Sequence, residues 1–393
     1  MEHSYDYLII GGGMTGEAAA QALHETDPDA RIGMIGNEAD PPYDRPPLSK
    51  GLWKDDREED IFRPLKKSGA TLHGGRTATS VDAEAHRVTD DQGDAYRYRK
   101  LLLATGGTPR KLDIDSERLI HFRTLDSYRR LRELAVPGSH VAVIGGGFIG
   151  SELAASLSAN EVKVSLIFPE DYLGERVYPM GLADFLGDYY RAHGIDLVPG
   201  RLVKSGRQDG NTLHLTLDNG EVIQADAAVA GLGVTPNTVL AGQAGASVDN
   251  GIVVDECMRT SVPDIFAAGD VAAFPSQALG RRIRVEHENC AITTGHRAGL
   301  AMAGKPEPYT ELPFFYSDLF DLGYEAVGVL DSRLDIAEDW RVPYREGVVY
   351  YLDDGRVRGV LLWNTWGQVE TARKLIADPG PHDADSLRGR ITG

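Results

Sequence analysis

Tyr7-Leu8-Ile9-Ile10-Gly11-Gly12-Gly13-Met14-Thr15-Gly16 decides the fold of this chain. Four apolar residues make a strand-sized run, a glycine turn follows, and the Ala-rich stretch Glu17 to Leu23 is a good helix former. Arg31 to Ile35 then supplies a second strand. Between a strand and a helix, G-x-G-x-x-G has a physical meaning. Gly11 permits the tight turn, Gly13 lets a pyrophosphate approach the backbone, and Gly16 lets helix pack closely on strand. The helix N-terminus then offers unpaired N–H groups and a favourable dipole to the phosphates.

The same pattern recurs downstream. Val141-Ala142-Val143-Ile144 is a strand, Gly145-Gly146-Gly147-Phe148-Ile149-Gly150 is the turn, a helix runs through Ala159, and Val162 to Phe168 is the next strand. One such match can be an incidental turn; two, each framed by strand and helix, are an internal repeat of a βαβ unit and imply two dinucleotides.

The rest of the chain is organised around this repeat. Ala70 to Leu103 reads as β-rich, with turn signals at Gly74-Gly75 and Asp91-Gln92-Gly93, and it ends in Leu103-Ala104-Thr105-Gly106-Gly107-Thr108-Pro109. Asn219-Gly220 is a hairpin signal, followed by Gly231-Leu232-Gly233-Val234-Thr235-Pro236. Ile265-Phe266-Ala267-Ala268-Gly269-Asp270 is an apolar strand ending in Gly-Asp. Its acid can accept from a sugar-like hydroxyl chain or close an ordinary turn, and spacing alone does not choose. The C-terminal stretch carries Phe314-Phe315-Tyr316 and a hairpin of Val348 to Leu352, Asp354-Gly355 and Val357 to Trp363. Thr365 is positioned to cap a closing helix with Val369, Ala372 and Ile376 on one face, stopped by Asp378-Pro379-Gly380, and the polar tail beyond reads as mobile.

Composition narrows the function classes. The 393 residues are 42% hydrophobic and 25% charged, with 45 Gly and 20 Pro, which excludes a disulfide-stapled miniprotein, disorder and collagen. A net charge of −18 repels phosphate polymers and anionic membranes, so nucleic acid is not an expected partner. Arg281, Arg282 and Arg284 form a local basic cluster, read either as a dock for an anionic partner or as a solvated face. Cys257 and Cys290 have no metal or redox spacing, so no metal site is read and redox chemistry needs a bound cofactor. The N-terminal residues show no basic flank or apolar leader, and no apolar run reaches membrane length, which makes a cytoplasmic chain without a membrane span the expectation.

The two glycine units, the Ala-Thr-Gly-Gly motif and the Gly-Asp strand end, in this order, resemble the FAD-dependent pyridine nucleotide-disulfide oxidoreductase superfamily over essentially the whole chain. No cysteine precedes Cys257, so no thiolate is available to relay electrons as in the disulfide-reductase branch. In its place stands Pro41-Pro42-Tyr43-Asp44-Arg45-Pro46-Pro47-Leu48-Ser49-Lys50-Gly51-Leu52-Trp53, which looks like the ferredoxin reductase and apoptosis-inducing factor group. Arg284-Val285-Glu286-His287, Ser317-Asp318-Leu319, Gly323-Tyr324-Glu325-Ala326 and Val360-Leu361-Leu362-Trp363-Asn364 are similar to the apoptosis-inducing factor side. The short connection from Leu330 to Val348 is unlike the long insertion of the animal proteins.

The resemblance implies an α/β fold of two Rossmann-like dinucleotide-binding domains, glutathione reductase-like, plus a C-terminal α+β domain. Residues 1–112 and 241–308 would form the FAD domain, 113–240 the NAD(H) domain and 309–393 the C-terminal interface domain. On the FAD side it implies Gly11, Gly13, Met14, Thr15, Gly16, Arg45, Lys50, Ala104, Thr105, Gly106, Arg110, Gly269, Asp270 on the ribityl chain, Glu286, His287 and Trp363. Asn37 stands where the family often has an acid, so the ribose contact falls to Glu38 or to the Asn37 amide. On the NAD(H) side it implies Gly145, Gly147, Phe148, Ile149, Gly150, Glu152, Glu170, Arg176, Gly231 and Gly233. Lys50 would pair with Glu152 beside the flavin, while Phe148, His287 and Trp363 line the face where nicotinamide stacks.

The residues themselves leave alternatives open. Lys50 and Glu152 also read as a solvated lysine and a helix glutamate, Phe148 as a gate or a helix-start core residue, and Trp363 as a flat platform or a core tryptophan. His287 can donate a hydrogen bond or switch protonation near neutral pH. Glu170, roughly 20 residues past the second glycine turn, accepts from ribose hydroxyls and repels a 2′-phosphate, which predicts NADH over NADPH; Arg176 is the one nearby cation that softens this or holds pyrophosphate. Two functions compete. One is an NADH oxidoreductase that passes electrons through FAD to a ferredoxin- or rubredoxin-like carrier, a quinone or oxygen. The other is a redox sensor holding a long-lived charge-transfer complex, with a homodimer formed on NADH binding.

Overall fold

The computed structural model describes residues 1–392, and its contacts divide the chain into two units. The first comprises Met1–Arg45, Arg57–Thr108 and Thr235–Pro313; the second comprises Pro46–Asp56, Pro109–Val234 and Phe314–Gly393. Contacts thus group the C-terminal residues, and the 46–56 segment, with the second glycine unit.

In the first unit the strand Glu2–Ile10 lies between Ile32–Ile35 and Ala95–Leu103, all parallel, with Tyr7 opposite Ile32 and Ile10 opposite Leu103. Leu8, Ile9 and Leu101 to Leu103 are buried, as expected of near-continuous apolar runs in a sheet covered on both faces. The far edge of Ala95–Leu103 is shared. Its first half pairs antiparallel with Arg87–Asp90, and its second half pairs parallel with Ile265–Ala267, which delivers the Gly269-Asp270 turn beside the first glycine turn. The helix Met14–Thr26 packs on Glu288–Met302 with little separation, because Gly295 and Gly299 face the Thr15 and Ala19 backbone where a Cβ would collide.

The second unit repeats the arrangement. A parallel sheet runs in the order Ile195–Val198, Lys163–Ile167, His140–Ile144, Ala227–Ala230, Leu119–His121. A five-stranded antiparallel sheet follows, ordered Phe314–Leu319, Leu322–Gly328, Arg356–Trp363, Glu346–Asp353, Asp335–Val342.

Three local expectations change. The stretch between Leu330 and Val348 is not a bare connection, for Asp335–Val342 pairs with Glu346–Asp353 as an edge strand. Thr365 does not cap the helix Val369–Ala377: its single hydroxyl proton is shared between the Gly347 and Trp363 carbonyls, at 3.2 and 3.1 Å, and the helix begins after Gln368. The tail is anchored, since Asp383 and Ser386 form a capping box and Leu387 is fully buried. No described helix is long and apolar enough to cross a membrane.

Candidate functional site

The first glycine turn is a backbone cradle. Gly11 has φ +128°, and a Cβ there would overlap the Ala104 carbonyl oxygen; one on Gly16 would overlap the Gly11 carbonyl. Gly13 faces open space and begins the helix without any side-chain cap, so its first amides are available to a phosphate. Met14, Thr15 and Gly16 are buried beneath it. Thr15 presses on Gly269, φ +74°, where any side chain would collide with its hydroxyl. Gly269 donates its N–H to the Thr294 hydroxyl at 2.9 Å.

Around this cradle, Glu38 accepts from Arg45 at 2.6 Å and from the Tyr43 hydroxyl at 2.5 Å, whereas Asn37 is exposed. Asp270 is within electrostatic reach of Arg45 and His287. Dense surroundings pull the His287 imidazole down to about 4, against the opposing effect of Asp270, so the ring is neutral at neutral pH. The expected protonation switch near neutrality is therefore lost to desolvation. Glu286 is paired with Arg284 at 2.8 Å.

Asn237 was not singled out in the sequence. It accepts from Thr105 Oγ1 through its carbonyl at 2.7 Å, donates from Nδ2 to the Thr105 carbonyl at 2.9 Å, and accepts from Thr108 Oγ1 at 2.8 Å, so it fixes the Ala104-Thr105-Gly106 segment. Its only signal was adjacency to the Gly-x-Gly-Val-Thr-Pro motif. Arg63 was also missed; it donates to buried Glu17 at 2.7 Å and to Asp44 at 2.6 Å.

The second unit carries a matching cradle. A Cβ on Gly145, φ +111°, would meet the Gly231 carbonyl, and one on Gly150 would meet the Gly145 carbonyl. Gly147 faces open space and starts the uncapped helix Phe148–Ala159. The carbonyl of Gly233, φ +77°, accepts from the Arg110 N–H at 3.0 Å. Phe148 is 39% exposed, so it is not a core residue, and its ring lies 4.9 Å from that of Phe315; Ile149 beside it is also exposed. Arg176 reaches Glu170 at 2.7 Å, which brings the softening cation onto the acid itself.

Lys50 and Glu152 do meet. Nζ donates to Oε2 at 2.7 Å, with side-chain exposures of 11% and 3%, so the solvated reading of both residues is excluded. Ser49 donates to the same oxygen at 2.6 Å and Ser317 to Oε1 at 2.6 Å. The Tyr316 ring lies 5.3 Å from the ammonium. Nothing in the local sequence around Ser49 or Ser317 signals that both hydroxyls converge on Glu152. The 46–56 segment is held on the helix by Ser156 donating to the Ser49 carbonyl and Asn160 to the Trp53 carbonyl, each at 2.8 Å.

Trp363 is the clearest departure. It has no exposed surface: its indole donates to the Tyr344 carbonyl at 2.9 Å and stacks on Tyr324 at 5.6 Å, which is core packing and leaves no face for a platform. The basic cluster changes too. Arg282 donates to the Val254 and Ala273 carbonyls and Arg284 to the Asp270 carbonyl, so two of its three members are structural. The two cradles fit a diphosphate each: glycines where a Cβ would collide, open space at Gly13 and Gly147, and uncapped amides.

The family model described as pyridine nucleotide-disulphide oxidoreductase matches residues 5–295, and that described as apoptosis-inducing factor, mitochondrion-associated, C-terminal, matches residues 336–378. The chain is 35% identical to apoptosis-inducing factor 1, mitochondrial, of Dictyostelium discoideum, covering 96% of this chain and 80% of that one. It is 36% identical to the ferredoxin–NAD(+) reductase component of the anthranilate 1,2-dioxygenase system of Burkholderia cepacia, covering 98% of each. Among solved structures, the covalent putidaredoxin reductase–putidaredoxin complex superposes with a TM-score of 0.90 at 30% identity, covering 98% of this chain and 95% of that one.

Proposed function

Because this chain belongs to the pyridine nucleotide-disulphide oxidoreductase family, and is an oxidoreductase with FAD and NAD(H) as cofactors, we propose that it is an NADH-dependent reductase of a small iron–sulphur carrier protein. What supports this reading is its end-to-end likeness to a ferredoxin reductase. The thiols agree with it: both cysteines are buried and burial raises both, so neither is suited to relay electrons.

FAD, when bound, would supply the chemistry of accepting a hydride and passing its electrons on to the carrier. The first cradle, with Asp270 and the Glu38–Arg45 pair, holds it, and the second holds NADH. Glu170 accepts from the adenosine ribose, and its pairing with Arg176 lessens the repulsion of a 2′-phosphate without abolishing it. Phe148, exposed and backed by Phe315, moves aside when nicotinamide enters. Neutral His287 donates or accepts a hydrogen bond without adding charge. Lys50 offsets negative charge that develops on the flavin, and Glu152 with its serine donors limits the cost of burying that ammonium.

The test is anaerobic, NADH-driven bleaching of a [2Fe–2S] ferredoxin. Turnover well above that with quinone or oxygen supports the reading; no bleaching overturns it. The match of residues 336–378 favours a second reading, an NADH-responsive sensor. A dimer seen only with NADH on a sizing column, with turnover remaining slow, would select it.

A further inference from the structure

Arg63 lies outside both glycine motifs, yet it closes on the helix that carries the first cradle. Its Nε donates to Glu17 at 2.7 Å and its Nη1 to Asp44 at 2.6 Å, with 16% of the side chain exposed. Glu17 is the acidic residue in the first turn of Met14–Thr26, and its own amide donates to the Gly13 carbonyl at 3.0 Å. Residues four apart share a helix face, and helical side chains lean toward the N-terminus. The Glu17 carboxylate, 2% exposed, therefore lies toward the same end of the helix that Gly13 opens to a diphosphate.

An acid in the first turn suits a bare helix dipole, which favours negative charge there. It does not suit a helix whose end receives a diphosphate, because the two anions repel through a poorly screened interior. Arg63 resolves that conflict. It also joins the helix to the segment beside the cradle. Asp44 donates its amide to the Ile61 carbonyl at 2.9 Å, and Arg63 donates its amide to the Pro42 carbonyl at 2.8 Å. Tyr43 and Arg45, on either side of Asp44, both donate to Glu38.

We propose that Arg63 is a positioning residue for FAD, cancelling the Glu17 charge behind the first glycine turn and fixing the 42–45 segment against the same helix. This rests on the reading that the turn at Gly13 holds the FAD diphosphate. Arg63 acts through Glu17 and Asp44, which take its Nε and Nη1 protons, and not by contact with the phosphates. The charges give the sign of each substitution. Two acids against one arginine leave net −1, Arg63→Met leaves −2, and Glu17→Gln leaves zero. Losing the arginine weakens FAD binding. Losing the glutamate, although it breaks a buried ion pair, tightens it. A purely structural pair would weaken FAD binding in both cases, and an arginine on the phosphate itself would weaken it whether or not Glu17 kept its charge.

The experiment is dilution of the holoenzyme at about pH 8, where carboxylates of ordinary pKa are ionised, with released FAD read by its fluorescence to give a dissociation constant. Arg63→Met is expected to bind FAD roughly thirtyfold more weakly, the order expected of one uncompensated charge in a partly screened site. Combining Arg63→Met with Glu17→Gln should return affinity to within about fivefold of wild type, and Glu17→Gln alone should bind about threefold more tightly. Should Arg63→Met not fold, the tightening by Glu17→Gln carries the test. An unchanged Arg63→Met, a double variant as weak as Arg63→Met, or a Glu17→Gln that fails to tighten FAD overturns the proposal. Gly13→Ala with wild-type FAD affinity would instead remove the underlying reading of the cradle, whatever Arg63→Met shows.

Discussion

Replacing Lys50 by Met should cost about 3 kcal/mol of stability, the low end of the ~3–5 kcal/mol for breaking a buried ion pair. The low end applies because Ser49 and Ser317 still donate to the abandoned carboxylate. Glu152→Gln should cost less, roughly 2 kcal/mol, since the ammonium keeps partial water access and the Tyr316 ring. Each single variant leaves one uncompensated buried charge, and the double variant leaves none. Its loss should therefore fall near 2–3 kcal/mol instead of the ~5 kcal/mol sum, a coupling of about 2–3 kcal/mol. The assay is urea denaturation at fixed excess FAD, followed by fluorescence, with slopes compared so that only midpoints carry the difference. Additive losses, with coupling under ~0.5 kcal/mol, would refute the reasoning, because additivity is the behaviour of independent sites.

Other consequences follow from the same geometry. Gly11→Ala should prevent a stable fold, because the side chain needs the space of the Ala104 carbonyl and φ is +128°, whereas Gly13→Ala should fold normally and bind FAD at least roughly tenfold more weakly, both read by bound-flavin stoichiometry. Glu170→Gln should shrink the NADH-over-NADPH ratio of kcat/KM by about tenfold, near 1.4 kcal/mol, measured in paired steady-state assays. His287 is depressed to about 4 from an unfolded value near 6.5, so the neutral ring's full contribution holds above 6.5 and is lost as pH falls toward 4. His287→Gln should accordingly flatten the acid side of the stability profile by on the order of 2 kcal/mol between those limits, seen in melts at stepped pH. Asp90, held near 2 by Arg76, Tyr96 and backbone amides despite its burial, contributes in the same sense at lower pH: present above about 3.8 and lost toward 2, so Asp90→Asn should be less stable at neutral pH and converge on wild type near pH 2.

The glycine units were legible because a tight turn, a close helix and an apolar run each demand particular residues within a few positions, and all three coincide at Gly11–Gly16 and again at Gly145–Gly150. What stayed hidden depends on partners far along the chain. Trp363 is core because Tyr324 and Tyr344 cover it, which no local pattern reveals. Asp335–Val342 escaped detection because an edge strand tolerates Asp335, Glu338 and Asp339, whose charge reads as loop. Arg282 and Arg284 looked like a basic face until backbone carbonyls claimed them. Ser49 and Ser317, 268 positions apart in the chain by their numbers, share one carboxylate only in the folded state.

The most direct measurement is anaerobic reduction of the holoenzyme with one equivalent of NADH, followed by rapid mixing with oxidised [2Fe–2S] ferredoxin or, separately, with air, while the flavin spectrum is followed. A carrier reductase predicts that ferredoxin restores the oxidised spectrum far faster than air does. A long-wavelength band that persists for minutes in the presence of ferredoxin would contradict it.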